Sequence, residues 1–224
     1  MLTAPRGRAK ESLPHERTTD MPLYYYYEFD VSLLDIEPRI WRRLQLASDA
    51  TFQDLHDAIQ DAGPWDDDHL FEFAAGPRHR EPIATAGDED RPTEGPGSCP
   101  PAHEVPLSSF FSKKRPKCIY LYDFGDGWRH SVELRDIVGS RRKFLRRLVD
   151  GARAFPPEDC GGVPGYYMCL AAKDPSNPEG LEEEYIDELR DWIGDYDPEE
   201  FDLEAARKFF TRTTAQRRRA QRSE

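Results

Sequence analysis

The chain has 224 residues, 38% of them hydrophobic and 33% charged, with a formal net charge of −12. That length holds one sizeable core, and the charge works against a generic nucleic-acid coat while leaving local basic runs free to act. No stretch approaches the roughly eighteen consecutive apolar residues of a membrane span, and the N-terminus lacks the apolar core of a signal peptide. The expected location is therefore the cytoplasm, with no membrane partner. Cys99, Cys118, Cys160 and Cys169 include no C-x-x-C pair, which argues against a zinc ribbon or a thioredoxin-like site and for reduced thiols.

Residues 1–22 are polar and aperiodic, and read as a flexible arm with too little apolar surface to offset its ordering entropy. The aromatic run Tyr24 to Leu34 predicts a strand with Tyr25, Tyr27, Phe29, Val31 and Leu33 on one face. Ile40 to Leu46 alternates Ile40, Arg42, Leu44 and Leu46 against Trp41, Arg43 and Gln45, predicting a second strand whose arginines lie at an exposed edge or end. Thr51 and Asp54 open a capping box, and Phe52, Leu55, Ile59 and Ala62 follow at helical spacing up to Gly63-Pro64. His69 to Phe73 reads as a third strand after the acidic turn Asp66, Asp67, Asp68. Gly76 to Glu104 is rich in Gly and Pro without periodicity, and reads as a long surface insertion outside the core. Leu107 to Phe111 predicts one helical turn. Cys118 to Phe124 and Trp128 to Leu134 predict a hairpin, and Gly139 to Asp150 a short basic helix or a loop. Tyr166 to Lys173, Leu181 to Ile193 and Leu203 to Phe210 are helix candidates, and a basic tail, 211–224, follows them.

Three constellations carry candidate chemistry. In YDFGDGWRH, Tyr122 to His130, a loop of Gly125, Asp126 and Gly127 pairs Phe124 with Trp128, Asp123 with Arg129 and Tyr122 with His130. Aromatic cross-strand pairs and an ion pair explain most of that composition; the functional alternative places Asp126 and His130 at a ligand or metal. In PPEDCGGVPGY, Pro156 to Tyr166, prolines and glycines stiffen a loop. Glu158 and Asp159 there are candidate oxygen ligands or a general base, or else caps for backbone N–H groups. Cys160 as a nucleophile has no assignable histidine partner. The third set is His56, Asp57, Asp61, the Asp66 to Asp68 run and His69. His56 reads as a partly exposed helix residue, with a two-histidine metal site as the alternative. The acidic stretch Glu182 to Glu204, with Arg190 its lone basic residue, reads as a solvated face, with electrostatic mimicry of nucleic acid or docking to a basic partner as the alternative. Arg141 to Arg147 and the arginines after Thr211 are placed to touch phosphate, or, for the tail, the chain's own acidic helices.

Taken in order, IWRRLQL, TFQDLHDAIQDAGPWDDDHLFEF, YLYDFGDGWRHSVEL, PPEDCGGVPGY and FDLEAARKFF resemble the Ri-plasmid ORF-3-like family over roughly Tyr24 to Phe210. The resemblance implies a compact α+β fold of roll type, found in plasmids, mobile elements and chromosomes, and it carries no reaction with it. Trp41, Arg43, Leu55, His56, Ile59, Gln60, Trp65, His69, Leu70 and Phe73 sit on positions that match the family pattern. Pro64 stands where that pattern has glycine. Phe155 stands where it has a small residue or cysteine, which argues against a two-cysteine metal site at Cys160.

The expectation is a single α+β domain over 23–210: a mixed or antiparallel sheet of about five strands with the hairpin central, one packed helix and a C-terminal helical section. The leading functional expectation is a non-enzymatic binding module, accessory to a mobile element or its host, with a protein or nucleic acid as partner and no cofactor. Trp41, Arg43, His56, Trp65, His69, Asp123, Asp126, Trp128, His130, Glu158, Asp159, Cys160 and Tyr166 would line one shared surface. The first alternative is a divalent-metal-dependent hydrolase or nuclease, with His56, His69, His130 and Asp159 as ligand candidates joined by Asp123, Asp126 or Glu158. The second is a nucleic-acid-binding accessory protein that uses the basic runs.

Overall fold

The structure is a computed structural model and describes residues 23–63, 65–76, 81–86, 99–174 and 182–220. The expected arm 1–22, Pro64, the middle of the expected insertion and the last four residues lie outside them. Seven strands form one sheet in the order β4-β3-β5-β6-β1-β2-β7. They are β1 (Tyr24–Leu33), β2 (Trp41–Ala47), β3 (Phe71–Ala75), β4 (Glu81–Thr85), β5 (Lys117–Tyr122), β6 (Trp128–Ser140) and β7 (Arg146–Ala152). Every neighbouring pair is antiparallel, and β6 is the middle strand. Among the described residues four α-helices accompany the sheet: α1 (Phe52–Ala62), α2 (Gly162–Lys173), α3 (Glu183–Ile193) and α4 (Leu203–Ala220).

Seven strands replace the expected five because two of them carry little apolar signal. β4 lies inside the expected insertion; as an edge strand it needs few buried residues, and Ala84 and Thr85 supply them. The Thr85 hydroxyl donates to the Phe71 carbonyl at 3.0 Å, and Cys99 and Ala102 are also buried, so the insertion contributes to the core. β7 replaces the expected basic helix or loop. Its Arg146 points inward, ion-paired with Asp61 of α1 and donating to the Thr214 hydroxyl of α4 at 2.9 Å, which a pattern of basic residues cannot announce.

With β7 outside it, β2 is an interior strand, and its arginines are not at an exposed edge. Arg42 is 2% exposed. Its guanidinium donates to the carbonyls of Ala62, Trp41 and Ala152 at 3.0, 2.8 and 3.0 Å, between the rings of Phe155 and Phe201. It thereby caps the C-terminus of α1, where the helix dipole favours a cation. Burial lowers its pKa to about 9. Arg43 faces the other side and forms a two-pronged pair with Asp30 at 2.7 and 3.2 Å.

The β5–β6 hairpin is also registered differently. Tyr122 pairs with Trp128, Leu121 with Arg129 and Tyr120 with His130, leaving the five residues Asp123 to Gly127 as the loop. Asp123 ends the strand early by taking left-handed backbone, φ 55°, while its carboxylate accepts the Gly125 N–H at 2.8 Å. A two-residue slip keeps every side chain on its face, so Tyr120, Tyr122, Trp128 and His130 are all buried, whereas Phe124 leaves the sheet and is 45% exposed.

Helix α1 lies on one face of the sheet. Its capping box is present: the Thr51 N–H donates to Asp54 at 2.8 Å, and the Asp54 N–H donates to the Thr51 hydroxyl at 3.3 Å. Phe52, Leu55, Ala58 and Ile59 close the core beneath it. A second helix, α4, packs against β7 and α1, in place of the single packed helix expected, and buries Phe210. It continues to Ala220 instead of stopping at Phe210, with the Thr213 and Thr214 hydroxyls bonded back to the Phe210 carbonyl. The opposite face carries a cross-strand charge ladder in which Lys117 meets Glu133 at 3.1 Å and Arg135 meets Asp30 at 3.5 Å. No described helix is long and apolar enough to cross a membrane.

Candidate functional site

Three separated motifs meet at the end of the sheet where β5 finishes and β6 begins. The Trp65 indole N–H donates to the Pro156 carbonyl at 2.9 Å, and its ring stacks on Tyr122 and Phe155, with centroids 5.1 and 5.2 Å away. Glu158 ties the motifs together: one carboxylate oxygen accepts the Tyr122 hydroxyl at 2.7 Å and the other accepts the Asp66 N–H at 2.5 Å. Asp126 of the hairpin loop accepts the Gly161 N–H at 3.1 Å. Gly162 follows with φ 67°, and a Cβ there would sit 2.2 Å from the Asp126 carbonyl oxygen, so the loop docks only because this residue is glycine.

His69 stands at the rim of this junction. Its Nε2 lies 3.2 Å from an Asp159 carboxylate oxygen and 3.9 Å from one of Asp123. One ligand atom from each of the three residues lies within 4.8 Å of the other two. One imidazole nitrogen and two carboxylate oxygens, open on one side, form a donor set suited to a divalent zinc- or manganese-like ion. Leu70 and Phe124, 46% and 45% exposed, are the large apolar groups presented beside this chemistry by the chain neighbours of His69 and Asp123.

The other expected site residues are committed elsewhere. His56 is 1% exposed, not partly exposed. Its Nδ1 is 2.8 Å from the Tyr120 hydroxyl, which also accepts from the Gln60 amide at 2.9 Å, and its Nε2 is 2.6 Å from Asp67. A hydrogen-bonded chain Gln60 to Tyr120 to His56 to Asp67 engages both ring nitrogens of His56, and ties α1, β5 and the acidic turn together. His56 thus groups with Asp57 and Asp67, apart from the His69 set, and the two histidines do not share a site. His130 joins neither group. It is fully buried among the rings of Trp65, Tyr120 and Phe155, and neither ring nitrogen has a hydrogen-bond partner of ordinary geometry. Burial lowers its pKa to about 4, the Tyr120 and Trp128 backbone groups offsetting only part of the effect. Burial, with help from nearby Cys169 and Asp126, pushes the Cys160 thiol up to about 12, so it stays protonated at neutral pH. Trp128 and Tyr166 are packed core residues. Trp41 and Arg43 face the opposite side of the sheet, their side chains stacked on one another at 5.5 Å. Of the four ligand candidates, the fold brings together His69 and Asp159.

Sequence reasoning missed Tyr120, Tyr122 and Gln60 as partners of the site. Their signal was present: Tyr120 and Tyr122 alternate on the buried face of β5, and Gln60 follows His56 by one helical turn. Tyrosines in a strand read as packing, and their hydroxyls acquire meaning only once partners are known.

A family model described as plasmid pRiA4b ORF-3-like protein matches residues 25–205. The chain belongs to this family. Among relatives, it is 33% identical over 171 residues to "Uncharacterized protein y4hQ" of Sinorhizobium fredii, covering 75% of this chain and 81% of that one. The crystal structure of protein MM3350 of Methanosarcina mazei Go1, described as of unknown function, superposes with a TM-score of 0.68 at 34% identity, covering 81% of this chain and 96% of that one. The pRiA4b ORF-3-like match spans all three motifs of the site, and neither relative's description names a reaction.

Proposed function

We propose that the protein is a non-enzymatic binding module, accessory to a plasmid-type element or its host, whose recognition surface is the rim formed by His69, Leu70, Asp123, Phe124 and Asp159. The observation that carries this reading is the commitment of the groups that could do chemistry. Glu158 has both oxygens engaged, His56 both nitrogens, His130 is buried with a pKa near 4, and the Cys160 thiol is held protonated. General acid–base or nucleophilic work needs a reachable group whose pKa suits neutral pH. The rim instead offers recognition chemistry: exposed apolar groups flanking an imidazole and carboxylates. The plasmid description of the family supports the accessory role, and four free cysteines suit a reducing cytoplasm.

A second reading, a divalent-metal-dependent hydrolase, is favoured by the His69, Asp123 and Asp159 grouping. One experiment separates them. Purified full-length protein is titrated with Zn2+ and Mn2+ by calorimetry and assayed on bis-p-nitrophenyl phosphate, beside His69→Ala and a Leu70→Ser/Phe124→Ser double variant. The binding module predicts no His69-dependent turnover with either metal, together with a protein partner retained by the wild type and lost by the double variant at unchanged melting temperature. Turnover that needs the metal and disappears in His69→Ala overturns it.

A further inference from the structure

The far end of the sheet, where β2 and β6 finish and β1, β5 and β7 begin, has the opposite chemistry. The β6–β7 connection crosses it, clamped by one tyrosine. The Tyr26 hydroxyl donates to the Arg142 carbonyl at 3.2 Å and accepts the Phe144 N–H at 3.0 Å, while the Tyr26 and Phe144 rings stack at 3.6 Å. Tyr26 is 1% exposed, so the clamp is anchored in the body of the fold, whereas Arg141, Arg142 and Lys143 are exposed on it. The Arg147 guanidinium carbon lies over the Phe144 ring, 3.7 Å from its centroid, and the Lys143 ammonium stands 5.8 Å from that of Tyr24. The contact of Arg146 with Thr214 brings the second half of α4, with exposed Arg212, to the same end. Three carboxylates, exposed Asp49 and Asp136 and half-buried Glu28 opposite Asp136 on β1, are there too, against the five cations Arg141, Arg142, Lys143, Arg147 and Arg212. A chain of net charge −12 thus gathers cations around half-buried Tyr24 and Phe144 at one end, on the face of β1 opposite to that of Tyr25.

We propose that this end binds single-stranded nucleic acid, with the phosphates along Arg141, Arg142, Lys143 and Arg147 and a base stacked on Tyr24. Charge complementarity supplies the attraction. A half-buried ring beside the cations, Tyr24, favours a single strand over a duplex, whose bases are already stacked on each other, and a strand connection offers no helix for the major groove. The surface is remote from the His69 rim, so it stands or falls separately from the reading of that rim.

The test is fluorescence anisotropy of a labelled oligothymidylate 20-mer with the full-length chain across a salt series. The expected result is binding whose log affinity falls with log salt at a slope of about −3, as four phosphate contacts on a single strand require. An Arg141→Glu/Lys143→Glu/Arg147→Glu variant should lose at least about tenfold in affinity at low salt with an unchanged melting temperature, and Tyr24→Ala should lose about fivefold or more through stacking. The proposal is overturned if the charge-reversed variant binds as well as wild type, or if no binding is seen. It is equally overturned if a duplex binds as tightly as the single strand and Tyr24→Ala is silent, or if anionic vesicles or acidic peptides bind while the oligonucleotide does not.

Discussion

At the three-motif end of the sheet, ionisable side chains turn inward and hold loops: Glu158 spans Tyr122 and Asp66, Asp126 holds Gly161, and His56 bridges Tyr120 and Asp67. At the opposite end the backbone is clamped by a neutral hydroxyl, Tyr26, and the charges are left in solvent. The difference teaches that density of polar residues in a motif is a poor guide to free chemistry. A carboxylate that organises a loop has its lone pairs occupied, while a plain basic run held out on a rigid connection keeps its full charge available to a partner.

The comparison is broken most severely by Gly162→Ala. With a Cβ 2.2 Å from the Asp126 carbonyl and a left-handed backbone, the loop must undock, and a loss of about 3 kcal/mol or more in urea denaturation is expected. An unchanged midpoint would mean that the three-motif end is not the close-packed junction described. Next comes acid. His130 has a folded pKa of about 4 against an ordinary 6.5, so between those values the unfolded chain binds the extra proton. Its contribution is whole above pH 6.5 and is lost as pH falls towards 4, a swing of about 3 kcal/mol. His130→Leu should lack this component, and denaturation curves at pH 7 and pH 4 should show wild type losing more stability than the variant by about that amount.

A smaller effect sharpens the role of Glu158. Tyr122→Phe removes the hydroxyl donated to its carboxylate and should cost about 2 kcal/mol, read from chemical denaturation. At the other end, Tyr26→Phe removes both bonds of the clamp yet keeps the stack on Phe144, so about 1 kcal/mol is expected, with faster amide exchange at Phe144 as the local signature. If Tyr26→Phe costs more than Tyr122→Phe, the contrast between a charge-held and a hydroxyl-held end is wrong.

Much of the fold was legible where a strong local rule applied. The capping box and apolar spacing of α1 and the alternation of β2 survive in the structure. β4 and β7 were hidden because an edge strand needs few apolar residues, and because Arg146 finds its partner Asp61 85 residues away in sequence. The hairpin loop was misjudged because GDG is a strong turn signal, whereas the side chain of Asp123 begins the turn earlier. At the candidate site, His69 and Asp159 could be suspected from residue type, but that His56 and His130 are committed to the interior was not readable, since exposure depends on which strands and loops arrive beside a residue.

By itself, the sequence determined the local grammar of this protein: which segments are amphipathic, where glycine permits a left-handed turn, and which motifs are rich in ionisable groups. The tertiary structure alone decided which of those groups remain available. Hydrogen-bond capacity and solvation are set by neighbours in space, and these neighbours, Glu158 beside Tyr122, Asp159 beside His69 and Tyr26 beside Phe144, come from segments that the sheet brings together.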